Sequence, residues 1–268
     1  MPHFAANLTM LWPDRPFLDR FEAAARAGFK AVEFLFPYDH PPERVAQALQ
    51  AHGLQLVLHN LPPGDWAAGE RGLACIPGRE AEFRDSVAQA AAYAPALGVR
   101  RWHCMAGIPP PGVSAAQARD TWVRNVRFAA AQAKALGVAL LIEAINPVDM
   151  PGYFVQRPRQ AMALIHDVRA DGVTDNVWLQ YDVYHAQRTE GELTQTLRAL
   201  LPHIGHIQIA DTPGRHEPGT GEIAYPFLLA QLDALGYRGW VGCEYHPRDT
   251  RPGGTERGLA WLSAFQEP

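Results

Sequence analysis

The sequence has few cysteines, no strong excess of one charge and no long apolar run. Its 268 residues include 3 Cys, and 24 Lys+Arg against 28 Asp+Glu give a formal net charge of −4. Cys75, Cys104 and Cys243 are odd in number, far apart and without CxxC spacing, which argues against a disulfide framework or a cysteine zinc site. No apolar run approaches the roughly 20 residues that span a bilayer. A mildly acidic chain without Lys/Arg runs also lacks the electrostatic footprint of a nucleic-acid or membrane-surface protein.

Two further absences narrow the expected function. The first residues, MPHFAANLTMLWPDRPF, lack the basic start and long apolar core of a secretory signal. No GxGxxG follows the first predicted strand, which argues against a dinucleotide-binding fold. We therefore expect a cytoplasmic protein whose partner is a small molecule, with neither nucleic acid nor membrane involved. A homo-oligomer remains open.

Short apolar runs typical of buried parallel strands alternate with helical patterns along the whole chain. The eight predicted strands cover residues 3–8, 31–35, 55–60, 100–105, 139–145, 177–183, 203–211 and 239–245. Five glycines stand at the predicted helix ends just before a strand, namely Gly28, Gly53, Gly98, Gly137 and Gly236. Eight strand–helix units in series predict a single (β/α)8 TIM barrel over residues 1–268, with a doubly wound sheet as the alternative.

Polar residues stand at the ends of four consecutive predicted strands, where a barrel of this type carries its active site. Glu143 ends the fifth strand, Asp182 the sixth and Glu244 the eighth, and Gln208 lies in the seventh. Converging carboxylates repel one another unless a cation or protons intervene. Oxygen ligands favour Mg²⁺ or Mn²⁺ over zinc, so these four residues are the predicted metal ligands. The alternative is that each acid separately caps a helix or pairs with an arginine.

Five other residues are candidates for substrate binding. His185 follows Asp182 by three residues, and Arg215 in the loop after the seventh strand could hold a substrate carboxylate bidentately. His59 and Asn60 end the third strand, where a turn-capping role is the alternative, and Glu217 shares the loop of Arg215.

Seven stretches along the chain form a recognisable pattern: FAANLTMLW, VEFLFPYD, LHNLPPGDWAAGERGLACIPGRE, LLIEAIN, QYDVYHAQRTEGEL, GHIQIADTPGRHEPGTGEI and GWVGCEY. In these stretches, and over essentially its whole length, the sequence resembles the hydroxypyruvate isomerases of the xylose-isomerase-like barrel superfamily. The resemblance implies that Glu143 and Glu244 are the acid/base pair of an aldose–ketose type isomerase, with Glu143, Asp182, Gln208 and Glu244 around a divalent metal. Many superfamily members have His where this chain has Gln208, and a neutral amide oxygen is the weaker ligand.

The reaction implied by the resemblance is the interconversion of hydroxypyruvate and tartronate semialdehyde through an enediolate. The 2-oxo-tetronate isomerases are similar, and a keto-sugar 3-epimerase is a further alternative on the same barrel. Two rivals lie outside this chemistry. An endonuclease-IV-like barrel would require several zinc-ligating histidines and a basic groove, and a sugar-acid binding protein would have no need of two spare carboxylates.

Overall fold

Eight short strands alternate with helices in the computed structural model, which describes residues 2–265. Strands β1 to β8 are His3–Asn7, Ala31–Phe34, Gln55–Asn60, Arg101–His103, Ala139–Glu143, Val177–Asp182, Ile204–Ile209 and Trp240–Cys243. Helices α1 to α9 are Asp19–Arg26, Pro42–Ala51, Glu80–Leu97, Ala115–Ala135, Pro158–Arg169, Val183–Gln187, Leu193–Leu200, Tyr225–Ala234 and Gly254–Gly258. Two 3₁₀ helices cover Leu201–His203 and Leu259–Phe265.

The strands form a closed parallel barrel, because β1 pairs with both β2 and β8. The predicted (β/α)8 barrel is therefore confirmed. Residues 1 and 266–268 lie outside the described part of the chain, and the prediction that residues 1–268 form one domain stays a prediction. No helix within residues 2–265 is long and apolar enough to cross a membrane.

Helix ends follow the predicted chemistry closely. All five predicted terminal glycines have positive φ, between 61° and 91°, a conformation that side chains other than glycine rarely adopt. Two elements differ from the sequence prediction. The short α6 directly after β6 was not predicted. The helical pattern TERGLAWLSAF at residues 255–265 predicts one final helix, whereas the structure has a short α helix followed by a 3₁₀ segment.

Apolar side chains fill two separate regions. The larger one lies between the barrel wall and the helices and contains the bulkiest buried rings, such as Trp102 and Trp122. A small cluster of Ala5, Ala31, Val57, Leu58 and Leu141 forms the second. Because alternate strand residues face the same side, Ala5, Ala31 and Leu141 share the barrel interior with the residues two positions further along their strands. The lower interior is thus filled by small and aliphatic side chains.

Above this apolar floor lies a polar layer centred on Glu33 of β2, which is fully buried. Asn7 Nδ2 and Gln208 Nε2 donate to Glu33 Oε1 at 3.0 and 2.8 Å, and His206 Nε2 donates to Oε2 at 2.6 Å. Three donors satisfy a carboxylate that would otherwise be very costly to bury. We call Glu33, Asn7, His206 and Gln208 the Glu33 layer.

Gly242 of β8 makes room for the Glu33 layer. A Cβ added at Gly242 would lie 2.3 Å from Glu33 Oε2 and 2.4 Å from Oε1, far inside van der Waals contact. The carboxylate cannot retreat easily, because it is buried and held by three donors. A glycine in the middle of this strand is therefore explained by close side-chain approach.

We predict that G242A destabilises the protein by about 1–3 kcal/mol, since the new methyl group overpacks a fixed carboxylate. Urea unfolding measures this cost. In an E33A background, which removes the carboxylate, the same substitution should cost much less. Equal costs in the two backgrounds would show that Glu33 is not what excludes a side chain at position 242.

Candidate active site

Three buried carboxylates lie at the C-terminal end of the barrel, where the sequence predicts them. Glu143 and Asp182 are the last residues of β5 and β6, and Glu244 directly follows β8. All three are at most 6% exposed. The strand-end rule for barrel active sites therefore located the principal acids correctly in space.

Arg215 joins two of these carboxylates. Its Nη2 donates to Glu244 Oε2 at 2.7 Å and to Asp182 Oδ2 at 3.2 Å. Asp182 Oδ1 accepts from the backbone N–H of Tyr184 and His185 at the start of α6, at 2.7 and 3.4 Å. The sequence left open the alternative that a strand-end acid only caps a helix or pairs with an arginine. Asp182 does both. Its capping and its position in the cluster are compatible, because they use different oxygens.

The loop that carries Arg215 is fixed by Asp211, which is fully buried. Asp211 Oδ1 accepts from the N–H of Thr212 and Ile223, and Oδ2 accepts from Gly219 and Gly221, all at 2.9–3.1 Å. Arg215 itself has a φ of 57°, a left-handed conformation that is uncommon for a non-glycine residue. The backbone therefore presents this guanidinium to the carboxylates from a rigid support.

Burial shapes the proton affinities of the site. It raises the pKa of Glu143 well above the ordinary value, and the negative charges of Glu244 and Asp182 raise it further. Burial raises the pKa of Glu244 to about 8, although the adjacent Arg215 guanidinium opposes this shift. The pKa of Asp182 is raised by burial, against Arg215 and the two backbone donors. Both glutamates are thus able to hold a proton near neutral pH.

Two buried histidines, His185 and His103, face the carboxylates. His185 Nε2 lies 3.8 Å from Glu143 Oε1 and 3.6 Å from Asp182 Oδ2, and burial lowers its pKa well below the ordinary value. His103, at the end of β4, places Nδ1 at 3.5 Å from Glu143 Oε2, and burial lowers its pKa to about 3. His59 donates Nδ1–H to the Asn60 carbonyl at 3.1 Å, since a carbonyl only accepts. Glu143 Oε1 is buried without a hydrogen-bond partner among the described residues, which leaves this oxygen able to take a proton or a ligand.

Asn60 and Glu217, two other predicted binding residues, make hydrogen bonds within the protein. Asn60 is buried beside His59, and its carbonyl also accepts from the Tyr38 hydroxyl at 2.6 Å. Glu217 Oε2 accepts from the N–H of Arg248 at 2.9 Å, so this side chain ties its loop to the segment after β8. The substrate roles of His185, Arg215, His59, Asn60 and Glu217 stay predictions.

Gln208 does not present a free amide to the site. Its Nε2 donates to Glu33, and its Oε1 accepts from Gln180 Nε2 at 2.6 Å. Gln180 precedes Asp182 by two residues on β6 and pairs in register with Glu143, and Gln208 pairs in register with Asp182. The ligand role of Gln208 stays a prediction, and both ends of its amide are already engaged.

The residues present fit a hard divalent cation through their carboxylates. Among the described residues, Glu143, Asp182 and His185 have ligand atoms within 4.8 Å of one another. Glu143 Oε1 is a buried, unpartnered oxygen, and the nearby Asp182 and Glu244 add further hard oxygen donors. Glu143 and Asp182 are therefore the carboxylates that the structure brings together for such an ion. The ligand role of Glu244, whose Oε2 accepts from Arg215, stays a prediction.

Four residues that shape this site were not predicted from the sequence. They are Glu33, Asn7, His103 and Asn146, the last of which places its Nδ2 at 2.7 Å from His185 Nδ1. His103 ends its strand, so the rule that found the acids could have found it. Glu33 is an acid inside an apolar strand and carries the same signal of buried charge. Asn7 and Asn146 had no comparable pattern, because an asparagine near a strand end is typical of many turns.

Comparisons with known proteins agree on the protein family of this chain. Residues 21–265 match the family model described as a xylose isomerase-like TIM barrel. The chain is 50% identical over 265 residues to the 2-oxo-tetronate isomerase of Cupriavidus necator, covering 99% of both chains. It is also 50% identical over 266 residues to the hydroxypyruvate isomerase of Escherichia coli K12, covering 99% of this chain and 100% of the relative. The resemblance found in the sequence is therefore confirmed.

Solved structures agree on the fold. A crystal structure from Brucella melitensis, described as an AP endonuclease of family 2, is 47% identical, covers 100% of both chains and superposes with a TM-score of 0.94. An apo 3-keto-D-glucoside 4-epimerase from E. coli has a TM-score of 0.78 at 20% identity, over 98% of this chain and 99% of that one. At that identity the second likeness concerns the fold alone.

The buried neutral histidines predict acid sensitivity of the fold. Burial lowers the pKa of His59 to about 4, whereas an unfolded histidine titrates near 6.5. Between these values the unfolded chain binds a proton that the folded one does not, so stability falls as pH falls from about 6.5 to 4. We expect His59 to contribute about 1 kcal/mol of this loss between pH 6 and 5.

Urea unfolding of the parent and of H59N at pH 6 and pH 5 measures the contribution. H166N, at an exposed histidine of α5, is the control and should keep the parental pH dependence. The same loss of stability in H59N and the parent would contradict the assignment.

Proposed function

The chain belongs to the xylose isomerase-like TIM barrel family, and we propose that it interconverts hydroxypyruvate and tartronate semialdehyde (2-hydroxy-3-oxopropanoate). The observation that carries this proposal is the pair of buried glutamates, Glu143 and Glu244, whose pKa values are raised by burial. Relatives named as hydroxypyruvate and 2-oxo-tetronate isomerases, each 50% identical over nearly the full length, support an isomerase of this chemistry.

The reaction moves a carbonyl between adjacent carbons by proton transfer. One glutamate, as carboxylate, removes a proton from the hydroxymethyl carbon C3, and the C–H electron pair forms the C2–C3 double bond of an enediolate. The other glutamate, in its protonated form, delivers a proton to C2. The hydroxyl proton of O3 passes to O2, so that the sum is an isomerisation without loss of atoms. The two glutamates exchange roles in the reverse direction.

The proton affinities suit these steps. A carboxylic acid can return a proton near neutral pH only if its pKa approaches the operating pH. Burial raises the pKa of Glu244 to about 8, and the pKa of Glu143 is raised in the same direction. A general acid and a general base are therefore available from one pair of side chains.

Arg215 and His185 are suited to orient the substrate. The described hydrogen bonds of Arg215 use Nε and Nη2, which leaves Nη1 for a substrate carboxylate. The His185 side chain is directed between Glu143 and Asp182, where a hydroxyl or enediolate oxygen would develop charge. A divalent cation held by Glu143, Asp182 and Glu244 would polarise the carbonyl when bound.

A four-carbon 2-oxo-tetronate substrate is the near alternative, and a keto-sugar 3-epimerase is the more distant one. The AP endonuclease activity for which the B. melitensis protein is named is not proposed for this chain. The net charge of −4 disfavours a phosphate backbone as ligand.

We expect turnover of hydroxypyruvate with incorporation of solvent deuterium at carbon in D₂O, measured beside 2-oxo-tetronate and neutral ketoses. E143Q and E244Q should each lower kcat by about 100-fold or more, because each removes one proton-transfer group. E222Q, at an exposed glutamate, serves as the control and should keep the parental rate. Turnover of the four-carbon acid alone would replace the substrate assignment, and near-normal rates in E143Q or E244Q would overturn the acid/base assignment.

Metal assistance has a separate prediction. EDTA treatment should lower turnover, and Mg²⁺ or Mn²⁺ should restore it, because three carboxylates are suited to bind the ion. D182N should weaken Mn²⁺ binding in a direct titration. Full activity in a sample shown by elemental analysis to be free of metal would mean that the carboxylates and Arg215 act alone.

A further inference from the structure

The orientation of His185 decides what this histidine can do in the site. Its Nε2 faces Glu143 and Asp182 at 3.8 and 3.6 Å, and its Nδ1 faces Asn146. A neutral imidazole carries one N–H and one lone pair, so the group at Nδ1 determines which of the two Nε2 presents.

Asn146 is fully buried, and its amide can be oriented from its partners. Its Oδ1 accepts from the N–H of Val148 at 3.1 Å and of Asp149 at 3.0 Å. An atom that accepts two backbone N–H groups must be the oxygen, so the amide nitrogen points the other way. Asn146 Nδ2 therefore lies 2.7 Å from His185 Nδ1, and it also donates to Asp149 Oδ2 at 3.1 Å.

His185 Nδ1 faces two donors. The backbone N–H of Asn146 also points at Nδ1, at 3.4 Å, in addition to the side-chain amide. Both groups can only donate, so Nδ1 must offer its lone pair. An imidazole whose Nδ1 carries no proton has its single N–H at Nε2, so the two donors at Nδ1 place the proton on Nε2.

The partner of Asn146 is itself held in place. Asp149 Oδ2 accepts from the Tyr184 hydroxyl at 2.7 Å, and Asp149 Oδ1 accepts from Arg188 Nη1 at 2.8 Å. An ionised carboxylate with these partners accepts only, which keeps an N–H of Asn146 directed at it. The amide cannot turn over without losing its bonds to Asp149 and to two backbone groups.

We propose that Asn146 is a positioning residue that holds His185 in the Nε2–H tautomer, so that His185 donates a hydrogen bond to a substrate oxygen and does not ligate a metal. The role toward substrate rests on the proposed isomerase function, whereas the tautomer does not.

The consequence concerns the group formed by Glu143, Asp182 and His185. Its ligand atoms are close enough to surround an ion, but a nitrogen that carries hydrogen has no lone pair to offer. Histidines that bind metals usually donate their other N–H to a carboxylate or carbonyl, and here that position is filled by donors. Without a histidine ligand, the site offers a metal only oxygen atoms, which disfavours zinc.

The tautomer can be read directly from ¹⁵N-histidine-labelled full-length protein by long-range ¹H–¹⁵N correlation NMR at pH 7. The His185 signals are assigned by their loss in H185Q. We expect a protonated Nε2 and an unprotonated Nδ1. A protonated Nδ1, or an imidazolium, would overturn the proposal whatever the enzyme's substrate proves to be.

N146D tests the role of the asparagine, since a carboxylate at this position accepts from Nδ1–H and reverses the tautomer. We expect the NMR pattern of His185 to invert, kcat to fall at least 10-fold and Zn²⁺ affinity to rise about 10-fold or more. N146A removes the donor without adding an acceptor, so it should lower kcat without the gain in Zn²⁺ affinity. Because the new carboxylate would face Asp149, the N146D/D149N pair replaces N146D if the single variant fails to fold.

These readouts separate the proposal from the proposed function. An inverted tautomer with higher Zn²⁺ affinity would support the positioning role even if hydroxypyruvate is not the substrate. Unchanged tautomer and Zn²⁺ affinity in N146D would overturn it even if the parent isomerises hydroxypyruvate well.

Discussion

The interior of this barrel depends on how it accommodates four buried carboxylates, Glu33, Glu143, Asp182 and Glu244. A buried charge is tolerated only when donors, cations or protons compensate it. Both oxygens of Glu33 accept hydrogen bonds, from three side-chain donors in all. Asp182 uses two backbone N–H groups and Arg215, and Glu244 shares the same guanidinium. Glu143 keeps an oxygen without a partner among the described residues, which makes it the carboxylate most in need of a proton or a ligand.

This difference in hydrogen bonding distinguishes a structural carboxylate, Glu33, from the three carboxylates that are available for proton transfer. The fully satisfied Glu33 has the character of a structural group, and its demand for space accounts for Gly242 in the neighbouring part of the wall. Asn7 connects the two levels, since its Nδ2 lies 3.0 Å from Glu33 Oε1 and 3.5 Å from Glu244 Oε1. Asn7 thus links the Glu33 layer to Glu244. Burial raises the pKa values of Glu143, Asp182 and Glu244, which makes these three carboxylates the candidates for proton transfer.

The fold and the three acids at the strand ends were predictable from local rules, whereas the partners that meet across the barrel were not. Buried parallel strands are apolar runs, and the barrel topology brings every strand end to one face. Arg215, however, approaches two of the acids only because Asp211 fixes its loop. Gln208 was predicted as a metal ligand, and its amide hydrogen-bonds Glu33 and Gln180, two partners that its place in the sequence did not indicate. Sequence spacing gives the side of a strand on which a residue lies, but not which of several polar neighbours its side chain selects.

The histidines show how the same residue type is set to different tasks by its surroundings. His59 donates Nδ1–H to a backbone carbonyl, which leaves its Nε2 as a lone pair, whereas His185 accepts at Nδ1 and presents Nε2–H. Judged by residue types alone, a barrel with several buried histidines and acids could bind zinc whichever tautomer its histidines adopt. The tautomer of His185 is set by a neighbouring amide, so the identity of residue 146 bears on whether this end of the barrel favours proton transfer between carboxylates or zinc chemistry.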